Sequence, residues 1–321
     1  MGDVPNSADV AAPDVAAREV VMLDGGLATE LERRGHNLSD DLWSARLLVD
    51  QPEEIRAAHV SYFRAGAQVA TTASYQASFA GFAARGIGTS EAEVLMRRSV
   101  MLAREAADDV TQQSGDGVRR MVAASIGPYG AMLADGSEYS GDYGVADDVL
   151  RQFHQHRVEV LLDAAPDLLA METIPSEQEA TVLLDVLSTL PADTRAWLSL
   201  TCADGATTRR GEDVERVFAL AKGNPRVVAV GVNCTAPEYA GELVARAVAA
   251  SGKPAVVYPN SGETWNGADR VWGGDGAGVD AIAAATWVST GAQWVGGCCQ
   301  VGASDIARLS TDLIAAGVLK R

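Results

Sequence analysis

The run VVAVGVNC, Val227 to Cys234, is almost wholly apolar and stops abruptly at Asn and Cys. A strand with one wet face alternates apolar and polar residues, whereas a strand apolar on both faces is covered on both, as in a parallel sheet flanked by helices. Similar runs recur: VVMLD (Val20 to Asp24), QVATT (Gln68 to Thr72), MVAAS (Met121 to Ser125) and LLAME (Leu168 to Glu172). AWLSLT (Ala196 to Thr201), AVVYP (Ala255 to Pro259) and QWVGG (Gln293 to Gly297) complete a set of eight. Each is followed by a longer segment of helical period. Eight βα pairs in a 321-residue chain predict an α/β fold of the closed (β/α)8 TIM-type barrel, since an open doubly wound sheet usually stops at about six strands.

The punctuation agrees. Ser90 with Glu93 and Ser176 with Glu179 have the spacing of capping boxes. Pro52, Pro175 and Pro237 fall in or just before first helical turns, and Gly66, Gly252 and Gly317 are placed to end helices. No Gly/Ser-rich linker divides residues 19–321, so a single domain is expected there. The longest loops are expected after the first strand (25–50) and the third (127–144). Residues 1–18, rich in Ala, Asp and Pro without a basic start or an apolar stretch, predict a disordered tail rather than a signal peptide.

Composition narrows the function classes. Lys plus Arg total 26 against 43 Asp plus Glu, a net charge of −17, and no basic run occurs, which argues against nucleic acid as a partner. No apolar run approaches the ~20 residues that span a bilayer, so no membrane association is expected and the cytoplasm is the default compartment. Nothing implies a protein partner. Four cysteines in a chain of this length are too few for a disulfide scaffold, which directs attention to metal binding or reactive thiols.

In such a barrel chemistry collects at the carboxyl ends of the strands. Here those ends read DGG, TTASY, SIGPYG, METIP, SLTC, GVNC, YPNSGE and GGCC. Cys234 follows the sixth strand; Cys298 and Cys299 follow the eighth, behind Gly296 and Gly297. Neighbouring strand residues point to opposite faces, so adjacent cysteines are not both core by alternation, and the glycines are expected to relax the backbone so that both sulfurs face one ion. Three thiolates leave one tetrahedral position open, as a catalytic zinc requires, and soft sulfur favours zinc over magnesium or calcium. Buried apolar thiols and a vicinal redox pair remain alternatives. A thiol substrate in the open position would lose its proton on coordination.

The segments LDGGLATELERRG, DDLWSA, RAGAQVATTASYQAS, GPYGAMLADGSEYSGDY, GVNC, VVYPNSGE and GGCC together resemble the homocysteine S-methyltransferases, from about Val20 to about Leu313. The likeness is to the branch using S-methylmethionine or S-adenosylmethionine. Betaine- and folate-dependent relatives typically carry further C-terminal elements, whereas this chain runs about one helix past GGCC. The resemblance implies one zinc held by Cys234, Cys298 and Cys299, and methyl transfer from a sulfonium to zinc-bound L-homocysteine, giving methionine. It implies a homocysteine site built from Asp24, Gly25 and Gly26 with Glu172, where backbone N–H groups take the carboxylate and Glu172 the ammonium. Cys202 matches no ligand and is expected to be a core or strand-end thiol.

Thr72 and Ser74 are candidates for the same carboxylate, and Asn233, Asn260 and Ser261 for orienting sulfur or substrate. A cationic methyl donor calls for aromatic faces or carboxylates, for which Trp43, Tyr129, Glu138 and Tyr139 are candidates. His36, His59, His154 and His156 read as surface residues, none needed as a base. Two rivals stay open: a non-catalytic barrel whose structural zinc has a fourth protein ligand, and a thiol oxidoreductase using Cys298 and Cys299.

Overall fold

The computed structural model describes residues 19–38, 44–133, 136–266, 271–274, 276 and 278–320. The tail expected at 1–18, and Trp43, lie outside the described residues. In chain order the strands are β1 (Val21–Met22), β2 (Val69–Thr71), β3 (Met121–Ile126), β4 (Leu168–Ile174), β5 (Ala196–Leu200), β6 (Val227–Asn233), β7 (Ala255–Tyr258), β8 (Thr264–Asn266), β9 (Val271–Gly273) and β10 (Ala292–Val295). Eight of them pair in parallel in the order β1-β10-β7-β6-β5-β4-β3-β2. A parallel bridge between Leu23 and Val69 brings the two edges together, so the sheet is a nearly closed (β/α)8 barrel. All eight expected strands are present; β6 coincides with VVAVGVN, and the others differ by one or two residues at an end.

The apolar character of these strands is explained by two cores. Leu23, Met121, Leu168, Trp197, Val256, Tyr258 and Trp294 fill the barrel interior. The alternate residues, such as Leu198, Leu200, Val230 and Val257, pack outward against the helices. Trp197 sits edge-on to Tyr258, with ring centroids 6.1 Å apart, and 5.9 Å from Trp294, plugging the barrel below its mouth. Each fully buried large side chain contributes about 1.5–3 kcal/mol, which is why both faces stay apolar.

Local signals were mostly realised. Pro52 and Pro237 open their helices, and Gly252 ends Pro237–Ser251 in the left-handed conformation at φ 69°. Ser176 caps Glu177–Thr189 by accepting from Glu179 N at 3.3 Å. The Ser90 box is not formed: the helix Thr89–Ser114 starts from Gly88, so Ser90 lies inside its first turn, no longer facing the free N–H groups as a cap must. The two long loops carry short helices, Leu27–Arg33 and Ser44–Asp50 in the first and Tyr129–Leu133 in the second. A further long rim segment, not anticipated, follows β7 and holds the antiparallel β8–β9 hairpin. Among the described residues no helix is long and apolar enough to cross a membrane.

Candidate metal centre

Two corners of the barrel mouth, on either side of β7, supply the sulfurs. Cys234 leaves β6 directly into the left-handed region (φ 46°), which turns its side chain back over the mouth. Cys298 and Cys299 lie in the turn after β10, where Cys298 N donates to Pro259 O (2.8 Å) and Ser261 N to Cys299 O (3.0 Å). The sulfurs converge: Cys234 and Cys298 are 2.7 Å apart, and Cys299 is 3.9 Å from each. A thiolate tetrahedron about an ion at ~2.3 Å has edges of ~3.8 Å. The two longer separations match that edge, and an ion would widen the third. Among the described residues this trio is the one cluster able to hold a metal, and no fourth protein ligand joins it. The close sulfur pair is Cys234 with Cys298, not the adjacent Cys298 and Cys299 on which a vicinal redox reading depends.

The glycines serve a different purpose from the one expected. Gly296 and Gly297 have no unusual φ. A Cβ on Gly296 would come within 2.7 Å of Asp24 O, and one on Gly297 within 2.3 Å of the Val301 side chain. Likewise a Cβ on Gly26 would meet Cys298 O at 2.7 Å, and one on Gly25 would overlap Val301 O. These glycines let the loop after β1 and the loop after β10 interlock. Gly26 N donates to Val301 O at 2.9 Å, and Gly297 N to Asp24 O at 3.1 Å. Gln300 N donates to Thr29 Oγ1 at 2.9 Å.

Backbone strain concentrates here. Of the four described non-glycine residues at positive φ, three (Thr173 at 59°, Cys234 at 46° and Gln300 at 63°) stand at this rim. Such residues cost of order 1–3 kcal/mol each and persist only where their surroundings dictate them. Asn233 is that surrounding for Thr173 and Cys234. Its Oδ1 accepts from Thr173 N and Ser199 Oγ, both at 2.8 Å, and its Nδ2 donates to Thr173 Oγ1 at 2.8 Å. The same Nδ2 lies 4.0 Å from Cys298 Sγ.

At the ends of β1, beside the thiol turn, and of β4, farther round the mouth, two carboxyl groups are buried without a basic partner in hydrogen-bond contact. Asp24 accepts from Thr71 N at 2.8 Å. Glu172 accepts from Ser125 Oγ and, at 2.9 Å, from the Tyr258 hydroxyl, itself the acceptor for Trp197 Nε1 at 3.0 Å. Burial pushes both acids up, and the charge of Glu172 raises Asp24 further. A pair of this kind is relieved by a cation between them. The mouth therefore offers both sulfur ligands and a receptor for a positive group.

Several candidates are already engaged. Thr72 Oγ1 and Ser74 Oγ hydrogen-bond each other at 2.7 Å, Thr72 Oγ1 accepts from Ser125 N, and Ser74 Oγ donates to Ser125 O. Asn260 and Ser261 are buried beside the thiol turn, and Asn260 Oδ1 has no hydrogen-bond partner among the described residues. Tyr129 lies on the rim after β3, where its ring meets Tyr143 and Phe153 at 5.4 and 5.2 Å. Glu138 is buried in the same segment, and the side chain of Tyr139 lies outside the described residues. Cys202 is buried in the core as expected, its thiol pushed up to about 12 by burial.

The histidine expectation fails for two of four. His59 and His154 are fully buried. His59 sits on the inward face of Pro52–Arg64, and His154 Nε2 pairs with Glu179 Oε1 at 2.8 Å. Helical spacing from Ile55 and from Leu150 was the available signal for both. Tyr258, Ser125 and Thr173 were not singled out either, although each ends or nearly ends a strand.

Comparison with known proteins agrees with this geometry. The family model described as homocysteine S-methyltransferase matches residues 21–313. The homocysteine S-methyltransferase of Escherichia coli K12 is 45% identical over 91% of this chain and 94% of its own length. Homocysteine S-methyltransferase YbgG of Bacillus subtilis is 41% identical over 91% and 93%. The crystal structure of the E. coli homocysteine methyltransferase MmuM in its metallated form superposes with a TM-score of 0.84 at 43% identity, covering 92% of this chain and 97% of that one.

Proposed function

The chain belongs to the homocysteine S-methyltransferase family, and from that premise we propose that it transfers a methyl group from a sulfonium donor, S-methylmethionine or S-adenosylmethionine, to L-homocysteine, forming methionine. The observation that carries the reading is the convergence of Cys234, Cys298 and Cys299 Sγ within one ligand sphere at the barrel mouth, which also holds the buried carboxyls of Asp24 and Glu172.

The three thiolates suit one zinc ion, because soft sulfur selects it and three protein ligands leave one position for substrate. Bound there, zinc would supply a divalent positive charge that keeps a fourth thiol ionised near neutral pH. The chain's own residues do the rest. Asn233 and the strained turn at Cys234 fix the directions of the sulfurs. Glu172 and Asp24 receive the substrate ammonium, their buried charges balanced by it. Since Gly26 N is taken by Val301 O, Gly25 N–H is the donor that this loop offers the carboxylate.

In the reaction the homocysteine sulfur forms a bond to the methyl carbon while the bond from that carbon to the sulfonium sulfur breaks, and its electron pair leaves on a neutral thioether. No proton moves, consistent with the absence of a histidine among the residues described at the site. Cation and anion are annihilated together, so exclusion of water by the rim favours the step. Alignment of the two sulfurs with the carbon supplies much of the remainder.

The test is methionine formation by the zinc-loaded protein from homocysteine with each sulfonium in turn. Activity with at least one donor, lost in Cys298→Ser, is expected; no methionine with either donor, or full activity in Cys298→Ser, would overturn the reading.

A further inference from the structure

Two buried charged residues that make no hydrogen bond to the sulfurs, Asp24 or Glu172 hold the far wall of the mouth, although the charge of Arg157 also favours the ionised form of Glu172. Arg157, 1% exposed on the helix Asp147–Leu162, reaches inward to two different rim loops. Its Nη1 donates to Gly127 O (3.2 Å) after β3, and its Nη2 to Tyr75 O (3.1 Å) after β2. Those loops touch so closely that a Cβ on Gly127 would lie 2.6 Å from both the carbonyl and the ring of Tyr75. Glu179, fully buried in the first turn of Glu177–Thr189, accepts from Tyr129 N (2.6 Å) and the Tyr143 hydroxyl (3.0 Å). His154 Nε2 lies 2.8 Å from the same carboxylate.

The parts are mutually dependent. The Arg157 guanidinium lies over the Phe153 ring at 5.1 Å, and Phe153 meets Tyr129 edge-on. Burial pushes Arg157 down to about 10, and the negative charge of Glu179 acts against that shift. Two helices on the outside of the barrel thus tie down two loops at its mouth, which is costly for buried charges unless fixed geometry is needed there.

The ring order identifies what those loops face. β3 lies four strands from β7 in either direction, and the sulfurs flank β7 on β6 and β10. The loop after β3 therefore stands across the mouth from the thiols, and the loop after β2, four strands from β6 and two from β10, stands beside it. An in-line displacement at a sulfur held by the thiol side brings its second substrate in from that direction.

We propose that Arg157 and Glu179 are positioning residues that fix the loops after β2 and β3 as the wall of the methyl-donor subsite, setting donor affinity without touching homocysteine or the metal. The inference rests on the methyl-transfer reading above.

The experiment uses full-length, zinc-loaded wild type with Glu179→Gln, Glu179→Ala and Tyr143→Phe, measuring KM for S-methylmethionine and for homocysteine, and kcat. In parallel the cobalt-substituted proteins are titrated with homocysteine alone, following the thiolate-to-cobalt absorption band. Expected is a donor KM raised about tenfold or more in Glu179→Ala, partly restored in Glu179→Gln, and raised a few-fold in Tyr143→Phe. The homocysteine titration stays within about twofold of wild type. Tyr143→Phe removes one hydrogen bond and keeps the test decisive should the Glu179 variants fail to fold. Active wild type with an unchanged donor KM in the folded variants, or equal losses for both substrates, overturns this proposal alone. A wild type inactive with every donor overturns the methyl-transfer reading and this proposal with it.

Discussion

Asn233 and Thr173 grip each other through two 2.8 Å hydrogen bonds, Oδ1 accepting from the Thr173 amide and Nδ2 donating to its hydroxyl. A β-branched residue at φ 59° is thereby held on the strand next but one to the residue before a metal-ligand candidate. Asn233→Ala should remove that grip, destabilising the fold by about 2–3 kcal/mol and weakening metal binding by about 10–100-fold. Thermal unfolding with and without metal, together with chelator competition, reads the two effects separately; unchanged metal affinity would count against Asn233 as the organiser of the sulfurs.

Gly26→Ala adds a single methyl group facing Cys298 O at 2.7 Å and Thr29 Oγ1 at 2.8 Å. Both loops must part to admit it. Metal affinity and methyl transfer are expected to fall together by about tenfold or more, with the circular dichroism spectrum unchanged. Normal metal binding in a soluble Gly26→Ala protein would show that the interlock of the two loops is dispensable.

Glu172→Gln keeps shape and removes charge. Loss of one charge-assisted contact to the substrate ammonium should weaken homocysteine binding by about 10–100-fold. Tyr258→Phe, which removes one donor to Glu172 and leaves Trp197 Nε1 without its acceptor, should move the same parameter less. Calorimetric titration with homocysteine checks both, and equal affinities in wild type and Glu172→Gln would remove Glu172 from the substrate site.

His59 is buried with no hydrogen-bond partner on either nitrogen among the described residues, and burial lowers it to about 4 from an ordinary 6.5. The unfolded chain therefore takes up a proton between those values that the native protein refuses. Stability should be full above pH ~6.5 and decline as pH falls toward ~4, by about 3 kcal/mol at most. His59→Leu should flatten this part of the profile, as measured by denaturant unfolding at pH 4.5 and 7.5. An unaltered slope would place the acid sensitivity elsewhere.

Much of this protein is readable locally. A strand buried on both faces is written as a short apolar run wherever it occurs, so eight such runs and their helical partners determined the barrel before any contact was known. Adjacent cysteines that alternation would separate, paired with a third at another strand end, marked the candidate metal cluster for the same reason. What the sequence by itself left open depends on segments that meet only after folding. Gly296 and Gly297 read as residues that relax the backbone, yet they are clearances, Gly296 for the end of β1 and Gly297 for Val301 in its own turn. Thr72 and Ser74 read as candidate donors for substrate, and only the folded chain shows their hydroxyls bonded to each other and to the Ser125 backbone. His154 and Glu179 read as a surface residue and a helix cap, yet they are buried together beneath a rim loop. Only the tertiary structure decides such matters, because hydrogen-bond partners and steric clearances are properties of neighbours in space, whereas apolar periodicity is a property of neighbours in the chain.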